Sequence, residues 1–283
     1  MPSPRTFLVL GRVSNLPTVW SNCLAGWWLG GATNLQSLPF LIAGVSFLYV
    51  GGMYLNDAFD VEFDRQHRRE RPIPSGKISP RAVWQIGLLC LVLGEISLLG
   101  IGLFSAALGL VLASCIVLYD AVHKLIKFSP IVMAACRFLV YVVAGSATGN
   151  PVTGWTIWAG LALAFYVVGL SYLARTESTS SPIRYWPLFL LTVPLILALV
   201  MNANVYCQSA LLLAAILGLW TIRCLRTVFQ RSERNIGRAV AGLLAGIVFV
   251  DWLAIADAPM ELGLVLVLLF GLALLFQRFI PAT

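Results

Sequence analysis

Long apolar stretches recur along this chain, at about 16–31, 38–55, 82–100, 103–118, 130–148, 155–174, 186–201, 209–228, 236–256 and 262–279. Each is close to the ~20 residues that a helix needs to cross a lipid hydrocarbon core. The composition agrees: 59% of residues are hydrophobic and only 11% charged, against about 25% charged in an ordinary soluble domain. The pattern predicts an all-α fold, a polytopic membrane bundle of about nine to ten transmembrane helices, with residues 1–283 forming one integral membrane domain. The first stretch lacks a short apolar core ending in a small-residue cleavage site, so it reads as a retained span and not a cleaved signal.

The net charge of +7 is distributed by topology. Basic residues fall at Arg5 and Arg12, from Arg65 to Arg81, at Lys124 and Lys127, at Arg175 and Arg184, from Arg223 to Arg238, and at Arg278. The connections at 32–37, 99–102, 149–154, 202–208 and 256–261 carry no Lys or Arg. That alternation is the positive-inside pattern, and it puts the N-terminus and every second loop in the cytoplasm. A membrane-lipid environment accounts for the charge, and a nucleic-acid partner does not. The six cysteines are scattered, mostly inside spans, and read as small packing residues.

The segment from Met53 to Ile78 carries the chemistry. An apolar run gives way to Asn56, Asp57, Asp60, Glu62 and Asp64, then to Arg65, His67, Arg68, Arg69 and Arg71, then to a turn from Pro72 to Gly76. If the helix continues through the acids, Asp57, Asp60 and Asp64 share one face, with Asn56 at its edge. Like charges so placed repel by a few tenths of a kcal/mol per pair, and a cation offsets them. Hard oxygen ligands suit Mg²⁺, which keeps water and substrate phosphate oxygens in its octahedron. On charge alone, a solvated acidic helix end followed by a topogenic basic loop reads equally well. Ser79-Pro80 after the turn is a helix start, with serine as cap and proline at the first position.

The full string, with Asn56, Asp57, Asp60 and Asp64 followed by Arg71-Pro72-Ile73-Pro74-Ser75-Gly76, resembles the first aspartate-rich motif of the UbiA superfamily of intramembrane prenyltransferases. The resemblance covers about 10–256 and leaves 260–279 as an appended helix. It implies a bundle around a central cavity and an isoprenyl group moved from an allylic diphosphate to a small or aromatic acceptor, with Mg²⁺ as cofactor. It also implies a location in a bacterial inner membrane with the active-site end in the cytoplasm. Asp57, Asp60 and Asp64 would hold the metal. Asn56 and Arg71 would bind substrate, and Lys124 would clamp the diphosphate.

Lys124 follows Tyr119 by five residues, where the family carries a basic pair. Here the pair is His123-Lys124, which points away from a hydroxybenzoate acceptor. At the second acidic motif the chain departs further: Tyr172, Arg175 and Glu177 stand there, substrate-binding residues by the resemblance, and Glu177 is the only acid. One carboxylate with neutral oxygens can hold one Mg²⁺ through water, and Arg175 can replace a cation's charge. Within the spans, Arg137 costs roughly 2.5–3.5 kcal/mol even on lenient scales. It either faces the cavity with Tyr141 and binds an anionic group, or pairs with Glu95 or Asp251. Arg12 reads first as a topogenic charge, with phosphate or acceptor binding as the other reading. Two further activities remain open: transfer of a sugar phosphate onto a polyprenyl phosphate, and non-catalytic binding or transport of a prenylated precursor.

Overall fold

The computed structural model describes residues 2–179, 185–201, 207–229 and 235–281, and within these all side chains but those of 177–179, 201 and 207. Among them are helices and turns and no strand. A short α1 (Pro4–Leu10) and a 3-10 turn (Val13–Asn15) lead into α2 (Leu16–Leu29). There follow α3 (Ser37–Phe59), a short α4 (Val61–His67), α5 (Pro80–Leu99), α6 (Leu103–Val122), α7 (Ser129–Ser146) and α8 (Gly154–Thr179). The chain then forms α9 (Trp186–Leu190), α10 (Val193–Met201), α11 (Cys207–Phe229), α12 (Ile236–Ala254) and α13 (Met260–Phe279).

Eight of these helices, α3, α5, α6, α7, α8, α11, α12 and α13, are long and apolar enough to cross a membrane. The chain is an integral, multi-pass membrane protein. Two expected spans are shorter. α2 has 14 residues, which rise about 21 Å. The stretch at 186–201 is divided between α9 and α10. Pro194 is the cause: it has no N–H, and its ring excludes the carbonyl four residues back from a continuous helix. At the break Phe189 O accepts from both the Thr192 N–H at 3.1 Å and the Thr192 hydroxyl at 2.7 Å.

α2 runs through the middle, packed on α3, α7, α12 and α13. Its approach to α7 is close: a Cβ on Gly26 would meet Tyr141 O at 2.8 Å. The α3–α5 crossing is equally tight, since a Cβ on Gly51 would lie 2.9 Å from Gly87 O. Small residues at such crossings let backbones pack where lipid supplies no hydrophobic drive. The outward faces of α5, α6 and α13 carry exposed Leu88, Leu89, Val92, Leu110, Val111, Leu264 and Leu268, as a lipid-facing surface requires. The interior is different. α2 alone buries Thr18, Ser21 and Asn22, so a polar seam runs down the centre of an apolar bundle.

Candidate functional site

The acidic segment folds as two helices that meet at Asp60. The Asp60 N–H still donates to Asn56 O at 3.0 Å, and Asp60 O accepts from the Asp64 N–H at 2.9 Å. Helical periodicity therefore survives the joint, and Asp57, Asp60 and Asp64 all turn inward, each less than a tenth exposed. The proline-rich turn brings a cation to them. Its backbone closes on itself through Ser75 N–H to Arg71 O at 3.0 Å and Lys77 N–H to Pro72 O at 3.0 Å, with Gly76 at φ +74°. Ile73 and Ile78 anchor it in a small apolar cluster with Leu10, Tyr54 and Val83. The Ser79 side chain then caps α5, accepting from the Ala82 N–H at 3.3 Å, as the sequence predicts. Held this way, Arg71 donates from one nitrogen to Asp57 at 3.1 Å and to Asp64 at 2.9 Å.

A second guanidinium comes from the other side. Arg12 reaches Asn56 at 3.2 Å and Asp57 at 3.4 Å. Its backbone is left-handed, at φ 41° and ψ 48°, a conformation that costs of order 1–3 kcal/mol for a residue with a side chain. Of the two sequence readings of Arg12, the structure places it at the site.

The end of α6 closes the third side. Lys124 meets Asp60 at 2.7 Å and His123 meets the same oxygen at 3.4 Å. Burial works to raise the Asp60 pKa, but hydrogen bonds from His123 and Lys124 outweigh it and hold the carboxyl below its ordinary value. Asp120, one turn back on α6, accepts from the Asn56 amide at 3.0 Å and is itself buried. Sequence reasoning passed over Asp120. Its signal was its position four residues before Lys124 on the same helix face.

Arg137 and Tyr141 form a separate, deeper layer. Arg137 donates to Asn22 Oδ1 at 2.7 Å and to Thr18 at 3.2 Å, and lies 5.8 Å from the Tyr49 ring centroid. Asn22 in turn donates to both oxygens of Asp251, at 2.9 and 2.8 Å. Tyr141 and Ser21 donate to Asp251 as well. Arg137 thus faces Asp251 through an amide and not directly. Pairing of Arg137 with Glu95 is overturned: both Glu95 oxygens are buried without a partner, against Gly109 of α6. Tyr49 links the layers, its hydroxyl donating to Arg12 O at 3.4 Å.

The end of α8 stands apart from the aspartates. Tyr172 donates to Lys127 O at 3.4 Å, and Arg175 to Ile126 O, Lys127 O and Ser129 Oγ at 3.3, 3.0 and 3.0 Å. Both hold the α6–α7 connection. Glu177 lies in α8, but its side chain falls outside the described ones.

Among the described residues no three acidic, imidazole or thiol groups gather closely enough to hold a metal by themselves. A smaller donor set is present. Oxygens of Asp57 and Asp64 converge on one nitrogen of Arg71, and the second oxygen of Asp64 is buried with no partner. Two carboxylates of this kind fit Mg²⁺, which takes one or two with water and substrate phosphate. Asp60 is directed instead to Lys124 and His123.

Residues 14–240 match the model of the UbiA prenyltransferase family. Among curated proteins, a digeranylgeranylglyceryl phosphate synthase of Methanothrix thermoacetophila is 34% identical over 56% of this chain and 54% of its own length. A protoheme IX farnesyltransferase of Bacillus licheniformis is 30% identical over 55% and 51%. The chain thus spans about half the length of the curated relatives it matches. Among solved structures, the fold is similar to an apo UbiA homologue of Aeropyrum pernix, with TM-score 0.68 and 14% identity over 88% of this chain and 98% of that one. It is also similar to a UbiA homologue of Archaeoglobus fulgidus bound to GPP and Mg²⁺, with TM-score 0.64 and 15% identity over 95% and 98%.

Proposed function

As a member of the UbiA prenyltransferase family, this chain, we propose, transfers an isoprenyl group from an allylic diphosphate to a small or aromatic acceptor inside the membrane. The observation that carries this reading is the ring of charges at one end of the bundle. Arg12, Arg71 and Lys124 come from three different segments and interleave with Asp57, Asp60 and Asp64. Each cation is partly exposed while its carboxylate is buried. A ligand diphosphate could therefore recruit the cations without unburying the acids. In this reading the ring faces the cytoplasm, as the positive-inside pattern suggests, and the membrane is a bacterial inner membrane.

The chemistry assigns the parts. Ionising an allylic C–O bond leaves diphosphate on one side and a carbocation on the other. Arg71, Lys124 and Arg12 stabilise the leaving group's charge where it develops, and Asn56 orients it. Asp57 and Asp64, with Asp60 at the rim, would hold Mg²⁺, which when bound supplies further neutralisation of the diphosphate. The ring of Tyr49 sits between Arg12 and Arg137, and that of Tyr119 stacks on His123 with centroids 5.1 Å apart. A ring face turned to the cation is worth about 0.5–2 kcal/mol. Arg137 and Tyr141 lie below and would receive the polar group of the acceptor. Tyr172 and Arg175 act in this reading through the α6–α7 connection that carries Lys124, and Glu177 stands beyond them as the acid of the second motif.

The test is pyrophosphate release by the purified chain with Mg²⁺, geranyl to geranylgeranyl diphosphate and membrane extract as acceptor source. Release that needs Mg²⁺ and disappears in Asp57→Ala supports transfer. Geranyl diphosphate binding without release under any acceptor would instead favour the binding or transport reading, which the single acid of the second motif motivates.

A further inference from the structure

Two thiols meet in the wall of the polar interior. The sulfurs of Cys115 on α6 and Cys136 on α7 are 3.5 Å apart, across 21 residues of sequence. Both are free and half-buried. The Cys115 thiol also donates to Val132 O at 3.7 Å, which turns it onto α7, while Cys136 packs on the inner apolar cluster. Their neighbours belong to the site. Tyr119 is one turn beyond Cys115 on the same face, and Arg137 is adjacent to Cys136.

We propose that Cys115 and Cys136 form an oxidant-responsive dithiol whose closure to a disulfide displaces α6 and slows turnover at the aspartate site. The step is a two-electron oxidation by a lipid-soluble quinone. Two S–H bonds break, one S–S bond forms, and two electrons with two protons convert the quinone to its hydroquinone. The sulfurs must close from 3.5 Å to about 2.05 Å. Cys115 is held to Val132 O and Cys136 is packed on the inner cluster, so side-chain rotation is opposed and part of the movement falls on α6 against α7. α6 ends in the groups that engage α3: Asp120 on Asn56 at 3.0 Å, and Lys124 on Asp60 at 2.7 Å. Drawing α6 toward α7 pulls both away from α3. Misplacement by ~1 Å can cost about 10²-fold in rate.

The experiment uses the full chain in lipid nanodiscs, reduced with dithiothreitol, freed of it, and exposed to duroquinone. That quinone is fully substituted, so no ring carbon is open to thiol addition. The expected result is a peptide pair joined through Cys115 and Cys136, lighter by two hydrogens. Pyrophosphate release should fall at least about tenfold and return with dithiothreitol. Cys115→Ala and Cys136→Ser, made separately, should each remain active in duroquinone. Absence of the joined pair, an unchanged rate with the pair present, or a loss of rate in duroquinone as large in either variant as in wild type would overturn the proposal. Should the reduced chain release no pyrophosphate at all, the transfer reading fails and not this one. The dithiol is then judged by geranyl diphosphate affinity, and equal affinity in reduced and oxidised chain overturns it.

Discussion

The bundle contains two charged layers that are built differently. At the rim, carboxylates and cations touch directly: Arg71 on Asp57 and Asp64, Arg12 on Asp57, Lys124 on Asp60. Deeper, Arg137 and Asp251 are held apart by Asn22, which bonds both. The rim cations are partly exposed and can exchange one anion for another. The deep carboxylate is fully buried and receives donors from Ser21, Asn22 and Tyr141, on α2 and α7 while itself on α12. A layer of exchangeable pairs suits the diphosphate, whereas the saturated Asp251 ties helices together and fixes Arg137 and Tyr141 where the acceptor's polar group would meet them.

The sharpest way to break this comparison is to remove Asp251. Asp251→Ala takes the acceptor from Asn22 and Tyr141, leaves Ser21 only its bond to Thr18 O, and removes a negative charge facing Arg137. Breaking a buried charged network costs about 3–5 kcal/mol. Thermal unfolding in detergent should show that loss as a large drop in midpoint. If Asp251→Ala melts like wild type, the deep layer is not a clamp.

Asp57→Asn addresses the rim. The amide keeps the shape, so folding should change little, but two guanidiniums lose their shared anion. Pyrophosphate release should fall about 10²–10³-fold, the range for removing one electrostatic element of a reaction centre. A fall in midpoint comparable to that of Asp251→Ala, with the rate of folded protein preserved, would make the two layers alike.

These contrasts also mark what the sequence could reveal. Span positions were legible because lipid imposes one rule on every segment: observed α3, α5, α7 and α12 begin within two residues of the apolar runs at 38, 82, 130 and 236. The rim acids were legible because Asp57, Asp60 and Asp64 share a helical period and a local turn supplies Arg71. The Pro194 break was visible as a proline but was read through. The deep layer had no local signal. Asn22 and Asp251 are 229 residues apart, and neither position carries a pattern that names the other. Arg12 was ambiguous for the same reason, since its role depends on Asn56 and Asp57, 44 and 45 residues away.

Lys124→Met tests how much one exchangeable cation contributes. Its ammonium lies over the Phe63 ring at 3.7 Å and against Asp60 at 2.7 Å, but it is nearly a third exposed. Removing it should cost at most about 1 kcal/mol in stability. Geranyl diphosphate affinity should weaken about tenfold, the ~1.4 kcal/mol of one modest charge-assisted contact. Titration with the labelled diphosphate reads this directly, and an unchanged affinity would remove Lys124 from the clamp.

Arg175→Met should have the smallest effect, and its direction matters most for the comparison. One guanidinium nitrogen donates to Ile126 O, Lys127 O and Ser129 Oγ, so it acts as a brace on the α6–α7 connection. Hydrogen bonds from a charged group contribute about 1.5–3 kcal/mol where buried, and these are largely solvent-accessible, so a loss of about 1 kcal/mol is expected. Diphosphate affinity should shift less than in Lys124→Met, because Arg175 reaches the site only through the chain that positions Lys124. Pairing the two substitutions decides the matter. If Arg175 braces Lys124, then Arg175→Met has no further effect on affinity once Lys124 is methionine. If the two losses add in full, Arg175 binds diphosphate in its own right, and the rim extends to α8.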